Sequence, residues 1–118
     1  MSARILVVDD LEANRRLLEA LLTADYYEVM MASRGEEAVQ LAKRERPDLI
    51  LLDVMMPGGI DGYEACRRLK AMPETRHIPV VILTTLDDRD NRVRGLQAGA
   101  EEFLTKPIDD VQLMARVK

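Results

Sequence analysis

Acidic residues follow two apolar segments of this 118-residue sequence, at positions where a carboxylate can do chemistry. Asp9 and Asp10 come directly after the apolar run 5–8, and Asp53 comes directly after the apolar run 49–52. Three carboxylates in one place repel one another, and because they offer only oxygen ligands, a hard cation such as Mg²⁺ is the natural partner. A carboxylate beside such a cation can attack a phosphoryl group to give an aspartyl phosphate. We predict Asp53 as that nucleophile, with Asp9 and Asp10 reaching the metal.

Two further polar residues follow apolar segments nearer the C-terminus. Thr84 comes after the run 80–83, and Lys106 comes shortly after the apolar pair 103–104. A lysine brings a compact positive charge to phosphoryl oxygens, and a threonine hydroxyl brings a hydrogen bond. Taken singly, each residue has an ordinary explanation: Thr84 can cap a strand end, Lys106 can be a solvated surface lysine, and Asp53 can lie in a turn. Their joint occurrence after successive apolar runs favours the functional interpretation.

The segments that must position these residues alternate in type. Five short apolar runs have the length of strands, and each is followed by apolar residues at helical spacing. After the first run these are Leu17, Leu18, Leu21 and Leu22. Pro73 is expected to end the third helix and Gly99 the fourth. Repeated strand–helix units predict a doubly wound α/β fold, in which an open parallel sheet has helices on both faces. The functional crevice of such a sheet lies at the carboxyl ends of its strands.

Three local predictions depend on individual residues. Ser33 and Glu36 have the spacing of a capping box at the start of the second helix. Val93 and Leu96 are expected to anchor the fourth helix, a more polar segment whose exposed face is a candidate partner surface. An aspartate at 109–110 is expected to cap the last helix.

The composition restricts the classes of function. With 47% apolar and 32% charged residues, the chain is expected to form one globular domain over residues 1–118. The formal net charge of −4, with no dominant basic cluster, argues against nucleic-acid binding. The single cysteine, Cys66, excludes an internal disulfide and fits a cytoplasmic protein. No apolar run has membrane-spanning length, so we expect no membrane partner.

Taken together, these motifs resemble the receiver domains of two-component response regulators over nearly the whole chain. The stretches that carry the resemblance are LVVDD at 6–10, LDVMMP at 52–57, DG at 61–62, Thr84, GA at 99–100 and KP at 106–107. The resemblance implies a flavodoxin-like (βα)5 fold, a three-layer sandwich with a parallel sheet of strand order 2-1-3-4-5.

The resemblance also implies a ligand set. Asp53 would be the phosphoacceptor, and Asp10, Asp53 and the backbone carbonyl of Met55 would bind the metal directly. Asp9 would act mainly through metal-bound water. The metal would be Mg²⁺, for which Mn²⁺ can substitute.

A switch is implied as well. Thr84 would move towards the phosphoryl group, and an aromatic residue of the fifth strand, here Phe103, would turn inward and alter the face made by the fourth helix, fifth strand and fifth helix. The alternative for Phe103 is an ordinary core aromatic residue. Lys106 would contact the phosphoryl oxygens, and the Lys106–Pro107 bond would be cis.

The implied function is signalling rather than turnover. The domain would accept a phosphoryl group from a histidine kinase or a histidine phosphotransfer protein, assist its own phosphorylation and dephosphorylation, and control homodimerisation or an output domain. The stretches 8–14, 76–81 and 103–110 resemble the first receiver of PleD-type regulators, whose full-length members carry a diguanylate cyclase domain. The chain contains no cyclase sequence. We therefore expect either an excised N-terminal domain, its last helix cut short at Lys118, or a stand-alone single-domain regulator.

Two other classes of protein fit the sequence less well. A receiver-like interaction module that works without phosphate would not need the complete acidic cluster. An aspartate-nucleophile phosphatase also phosphorylates an aspartate after a strand, but it has a second acid two residues later, where this chain has Met55.

The sequence departs from the usual receiver pattern at two positions. The loop 57–62 is one residue longer, and Gly58 and Gly59 offer backbone conformations that can absorb the insertion. We expect metal binding to be retained and the phosphorylation kinetics to be altered. Thr85 stands where the family commonly has a smaller residue, and we hypothesise that its bulk slows the access of water or a phosphatase.

Overall fold

The computed structural model describes residues 3–56, 58–85 and 89–117, and for Arg89 it describes only the backbone. Over these residues, strands and helices alternate along the chain as the apolar runs predicted. The elements are β1 (Arg4–Val8), α1 (Glu12–Ala24), β2 (Glu28–Ala32), α2 (Gly35–Glu45), β3 (Leu49–Asp53), α3 (Gly62–Ala71), β4 (Val80–Thr84), α4 (Arg89–Gln97), β5 (Glu102–Thr105) and α5 (Asp110–Val117). Pro57 and Lys118, which entered two of the predictions above, lie outside the described residues.

The strands form one parallel sheet with the order β2-β1-β3-β4-β5. The predicted doubly wound fold and its strand order are therefore confirmed. The strands β1 and β3 are neighbours in register, with Val8 beside Leu52, and β4 lies on the other side of β3, with Leu83 beside Asp53. Because the strands are parallel, the residues that follow them meet at one edge of the sheet.

The sheet is buried on both faces, which explains why its central strands are continuous apolar runs rather than alternating ones. Successive side chains of β1 point to opposite faces. Leu6 and Val8 pack in a cluster with residues of α2 and α3 and with the segment 98–100 that follows α4, whereas Ile5 and Val7 pack in a second cluster with residues of α1 and α5. Among the helices that the structure describes, none is long and apolar enough to cross a lipid bilayer.

The helix α4 does not pack as predicted. Val93 is 40% exposed and Leu96 is 59% exposed, so neither residue anchors the helix. The buried residues of α4 and its C-terminal turn are Gly95 and Ala98, and a Cβ added to Gly95 would lie 2.4 Å from the ring of Phe103. The small residues let the helix approach β5 closely, which turns the two large apolar side chains towards solvent.

Two capping predictions have different outcomes. The Ser33–Glu36 box is wrong: α2 begins at Gly35, and the carboxylate that accepts from Ser33 N–H, at 2.8 Å, belongs to Glu37. The helix starts one residue later than expected, which places Glu37 rather than Glu36 in the capping position. The cap of α5 is confirmed, because Asp109 Oδ1 accepts from Val111 N–H at 2.7 Å. Gly99 has a φ of 98° and follows α4, as predicted.

Candidate functional site

The carboxylates of Asp9, Asp10 and Asp53 lie together at the carboxyl edge of the sheet. Asp53 is the last residue of β3, and the two other aspartates follow the neighbouring strand β1. One carboxylate oxygen of each residue lies within 4.8 Å of the other two. Asp9 and Asp53 are buried and Asp10 is half-buried. The structure therefore brings together the three acids that the sequence placed after two separate apolar runs.

Lys106 directly follows the edge strand β5 and extends its side chain to this cluster. Its ammonium Nζ lies 3.0 Å from Asp9 Oδ2 and 3.1 Å from Asp53 Oδ1. The backbone N–H of Lys106 donates to the carbonyl of Thr84 at 2.7 Å, so the end of β5 is tied to the end of β4. The Lys106–Pro107 peptide bond is cis, as the resemblance implied. The lysine thus contacts two buried carboxylates that belong to different strands.

The charges of the cluster are only partly balanced. Burial, together with the negative charge of Asp9, raises the pKa of Asp53, while Lys106 and the backbone N–H of Met55 act in the opposite direction. Burial alone would lower the pKa of Lys106, but its hydrogen bonds and attraction to Asp9 and Asp53 outweigh that effect and raise it. Lys106 is therefore positively charged at neutral pH. Three carboxylates around one ammonium leave excess negative charge, which a cation can neutralise.

Hydrogen bonds fix both the side chain and the backbone of Asp9. Its Oδ1 accepts from the N–H of Leu11 at 3.0 Å, and the Arg15 guanidinium donates to its backbone carbonyl at 2.7 Å. Asp10 instead faces a groove of about 300 Å³. The groove is lined by Asp10, Leu11, Asp53, Met55, Thr85 and Lys106. A ligand in this groove can therefore reach Asp10, the Asp53 carboxylate and Lys106.

Thr84 is the buried last residue of β4, and its neighbour Thr85 is exposed at the groove. Because Ile82 lies beside Phe103 in the register of β4 and β5, Thr84 and Phe103 point to the same face of the sheet, two residues apart. The ring of Phe103 is half-buried, and the guanidinium of Arg92 lies 5.8 Å from its centre. The two residues predicted to form a switch are thus close neighbours on one face.

The segment between β3 and α3 is closed at its base. The N–H of Gly62 donates to the carbonyl of Val54 at 3.1 Å, and a Cβ on Gly62 would lie 2.3 Å from the carbonyl oxygen of Asp53. The close approach requires glycine at this position. Gly58 has a φ of 86°, which is consistent with the predicted absorption of the extra residue, whereas Gly59 is not among the described residues with a positive φ.

Comparison of the sequence with models of known protein families identifies the family of this chain. The model of the response regulator receiver domain matches residues 5–118. The chain belongs to this family. As a receiver domain of two-component response regulators, it shares its fold with other signalling proteins.

Three known proteins show the range of the similarity. Response regulator PleD of Caulobacter vibrioides is 65% identical over 118 residues, which is 100% of this receiver domain but 26% of PleD. The chemotaxis protein CheY4 of Vibrio cholerae superposes with a TM-score of 0.94 at 30% identity, covering 99% of this chain and 97% of CheY4. The receiver domain of the sensor histidine kinase PA1611 from Pseudomonas aeruginosa superposes with a TM-score of 0.91 at 34% identity, covering 99% and 95%, and holds a magnesium ion in its active-site cleft.

The receiver domain also has a second groove that the sequence analysis missed. It has a volume of about 350 Å³, is mostly apolar, and is lined by Asp9, Asn14, Leu17, Leu18, Thr85, Lys106, Pro107 and Ile108. Leu17 is 51% exposed, although it belongs to the apolar repeat of α1. The signal was present in the sequence, because α1 has more leucines than one buried stripe needs; the buried ones are Leu18 and Leu22.

Proposed function

We propose that Asp53 accepts a phosphoryl group and that this modification is the signal the domain transmits. The observation that carries the proposal is the position of Lys106, whose ammonium lies within 3.1 Å of the buried Asp53 carboxylate while it also contacts Asp9. A nucleophile, a cation for the transferred group and two further acids lie at one accessible edge. Membership in the receiver family supports the same role.

In the proposed step, a carboxylate oxygen of Asp53 attacks the phosphorus of a phosphohistidine on a histidine kinase or phosphotransfer protein. A P–O bond forms, the P–N bond breaks, and its electron pair stays on the imidazole nitrogen of the donor. The ammonium of Lys106 then contacts the phosphoryl oxygens, and the hydroxyl of Thr84 donates a further hydrogen bond. Hydrolysis of the acyl phosphate returns Asp53 to its carboxylate.

Mg²⁺ fits the donor set. Asp10, Asp53 and the backbone carbonyl of Met55 are the proposed direct ligands, with Asp9 acting through water, and Mn²⁺ is expected to substitute. All donors are oxygens, and the excess negative charge of the cluster favours a divalent cation. When bound, the metal supplies positive charge for the phosphoryl oxygens. The magnesium ion in the cleft of the PA1611 receiver supports this assignment.

The groove beside α1 is the proposed docking site for the phosphoryl donor. It opens directly at Lys106 and Thr85, and Leu17 and Ile108 give it an apolar wall. An amphipathic helix laid along this wall would bury its apolar face while its phosphohistidine enters the site. We therefore propose a helix of the histidine kinase or phosphotransfer protein as the occupant.

The readout is proposed to run through Thr84 and Phe103 to the face formed by α4, β5 and α5. Movement of Thr84 towards the phosphoryl group would vacate space on the face of the sheet that it shares with Phe103. We propose that the altered face drives homodimerisation and controls either an output domain in cis or a partner in trans. In a PleD-like parent protein the output would be a diguanylate cyclase.

The phosphatase alternative is less consistent with the site. Two residues after the nucleophile, where such an enzyme needs a second acid, the chain has Met55 with its side chain exposed. An interaction module without phosphorylation would have no use for a half-buried lysine shared between two buried acids.

The test is incubation of the domain with phosphoramidate and Mg²⁺, followed by intact mass measurement. We expect the mass of one added phosphoryl group in the wild type and in Asp90→Ala, which removes an exposed aspartate of α4, and no added mass in Asp53→Ala. Absence of the added mass in the wild type, or an equal gain in Asp53→Ala, would refute the proposal.

A further inference from the structure

The N-terminus of α2 holds the outer part of the lengthened loop, segment 58–60. The guanidinium of Arg34 donates to the backbone carbonyl of Gly58. The backbone N–H of Ile60 donates to Glu36 Oε2 at 3.3 Å. Each hydrogen bond joins residues 24 positions apart in the sequence. We name these two contacts the α2 clamp.

The surfaces that meet at the clamp are interlocked. A Cβ added to Gly35 would lie 2.6 Å from Cγ1 of Ile60, and a Cβ added to Gly59 would lie 2.5 Å from Oε1 of Glu36. Ile60 itself packs against the core cluster of α2 and α3. The close approach of loop and helix therefore depends on glycine at position 35, whereas the Glu36 carboxylate that faces Gly59 is the movable end of a side chain. The approach fixes the path of segment 58–60.

Glu36 is charged and turned towards the loop. Its own backbone N–H lowers the pKa of its carboxyl, and the Ile60 N–H and the charges of Arg34 and Arg68 add to that effect, against the opposing influence of burial. Oε1 of Glu36 is buried, and within the described part of the chain it has no hydrogen-bond partner. Leaving such an oxygen without a partner costs free energy.

The clamped segment leads back to the phosphorylation site. At its base the loop is fixed by the hydrogen bond from Gly62 to Val54. Met55 comes next to this base, and its N–H stabilises the Asp53 carboxylate. An additional residue in the loop adds conformational freedom that would otherwise be lost only when the metal binds. A clamp at the outer end removes that freedom in advance.

We propose that Arg34 and Glu36 are positioning residues for the phosphorylation site, which hold segment 58–60 so that the backbone of Met55 is preorganised for the divalent cation. This inference rests on the proposed function. Neither residue is assigned a contact with the reacting atoms. Both act through the loop, in the way that outer contacts orient the groups that bind a metal.

The experiment measures Mn²⁺ binding from the loss of the free-ion electron paramagnetic resonance signal, which requires no phosphorylation. In Arg34→Ala we expect binding to weaken on the order of three- to tenfold, less than the effect of losing a group that orients a ligand directly. Arg34→Lys, which keeps a donor, should recover most of the affinity. Arg44→Ala is the matched control, because Arg44 is an exposed arginine of α2 whose ion pair is with its neighbour Glu45.

The direction of the change separates the clamp from simple electrostatics. Removing a positive charge removes its long-range repulsion of a bound cation, so Arg44→Ala should bind Mn²⁺ as tightly as the wild type or slightly more tightly. A clamp predicts the opposite direction for Arg34→Ala. For the partner residue, Glu36→Gln keeps the acceptor for Ile60 N–H and should bind Mn²⁺ more tightly than Glu36→Ala.

Each outcome bears on a definite claim. Weakened binding in Arg34→Ala, with a thermal midpoint shifted no more than in Arg44→Ala, supports the clamp. Unchanged or tighter binding in Arg34→Ala overturns it. If the wild type binds Mn²⁺ but phosphoramidate leaves Asp53 unmodified, the proposed function fails and the clamp can still be measured. If the wild type binds no Mn²⁺, both proposals fail.

Discussion

Lys106 separates two buried acids that would otherwise repel each other. Its ammonium is shared between Asp9 and Asp53, at 3.0 and 3.1 Å, and it is the one cation that pairs with either carboxylate within the described residues. Burial and the charge of Asp9 consequently keep the pKa of Asp53 above its usual value. A raised pKa means that ionising the carboxyl group costs more free energy in the folded state than in the unfolded state. At neutral pH without metal, the Asp53 carboxylate therefore lowers the free energy of unfolding. Residues at functional sites often reduce stability in this way.

Asp53→Asn should for this reason stabilise the metal-free domain. Near pH 7 we expect a gain of about 0.5–2 kcal/mol in the free energy of unfolding, the size of a typical single stabilising substitution. Because the folded-state pKa of Asp53 is raised, its favourable contribution is complete below the unfolded-state pKa and is lost as pH rises through the folded-state pKa. The advantage of asparagine should thus shrink as the pH falls. Urea denaturation in EDTA over a pH series measures it.

Mg²⁺ provides the internal control for this prediction. A cation that binds the folded state adds stability as its concentration exceeds its dissociation constant, and the wild type should gain more than Asp53→Asn. The difference between the two proteins should then narrow or reverse. A variant that is less stable than the wild type at pH 7 in EDTA would contradict the charge argument.

Cys66 should be chemically inert in the folded domain. The thiol is fully buried in α3, its Sγ donates to the carbonyl of Ala98 at 3.4 Å, and burial raises its pKa to about 11. Since only the thiolate reacts, Ellman's reagent at pH 8 should leave the native protein unmodified and titrate one thiol in urea. Rapid reaction of the native protein would show that α3 opens locally.

At the scale of elements, the alternation of strands and helices could be predicted because it depends on local apolar runs. The errors in packing arose where a contact between distant elements decided the outcome. Val93 and Leu96 have helical spacing, yet Gly95 faces Phe103 and turns both residues outward. The capping box failed through a shift of one residue in the start of α2, which local propensity does not determine.

The site could be predicted in part for a similar reason. Asp9, Asp10, Asp53 and Lys106 follow parallel strands, and topology alone brings such residues to one edge of the sheet. The α2 clamp and the apolar groove could not be predicted in this way. Both depend on how closely a helix approaches a loop from another part of the chain. The surplus leucines of α1 indicate an exposed apolar stripe, but no sequence pattern marks the loop that faces it.

The helix α1 supplies the prediction that concerns the phosphoryl donor. Leu17→Glu places a charge on the apolar wall of the groove. It should slow transfer from a phosphorylated histidine phosphotransfer protein roughly tenfold or more. The reason is that burying a leucine side chain against the docked partner contributes about 1.5–3 kcal/mol to the binding free energy. Phosphorylation by phosphoramidate, which needs no docking, should keep its wild-type rate. The two rates are compared by intact mass over time.

Leu96→Glu is the matched control for the docking prediction, since Leu96 has a similar exposure but lies on α4. It should accept phosphoryl groups from both donors at wild-type rates. Equal slowing of transfer in the two variants, or slowing of the phosphoramidate reaction by Leu17→Glu, would contradict a docking role for the groove.

At the scale of the whole molecule, α4 and α5 flank the edge strand β5 from opposite faces of the sheet. Three of the exposed large apolar side chains of the described residues, Val93, Leu96 and Val111, lie on these two helices. Phe103 of β5 connects this surface to the interior, because its ring packs against Gly95 of α4. A shift at the proposed phosphorylation site can therefore change the shape of a surface that already exposes apolar groups.

Phosphorylation is expected to drive self-association through this surface. Domain loaded with beryllofluoride and Mg²⁺, which mimic the phosphoryl group, should form a dimer in sedimentation equilibrium, and Leu96→Glu should weaken that dimer about tenfold or more, because an unpaired charge would be buried at the interface. Leu17→Glu, whose substitution lies on the donor groove, should dimerise like the wild type. If Leu96→Glu dimerises as strongly as the wild type, or if the loaded wild type remains a monomer, the face formed by α4, β5 and α5 is not the output surface. Each variant thus serves as the control for the other: we expect Leu17→Glu to lose docking and keep dimerisation, and Leu96→Glu to keep docking and lose dimerisation.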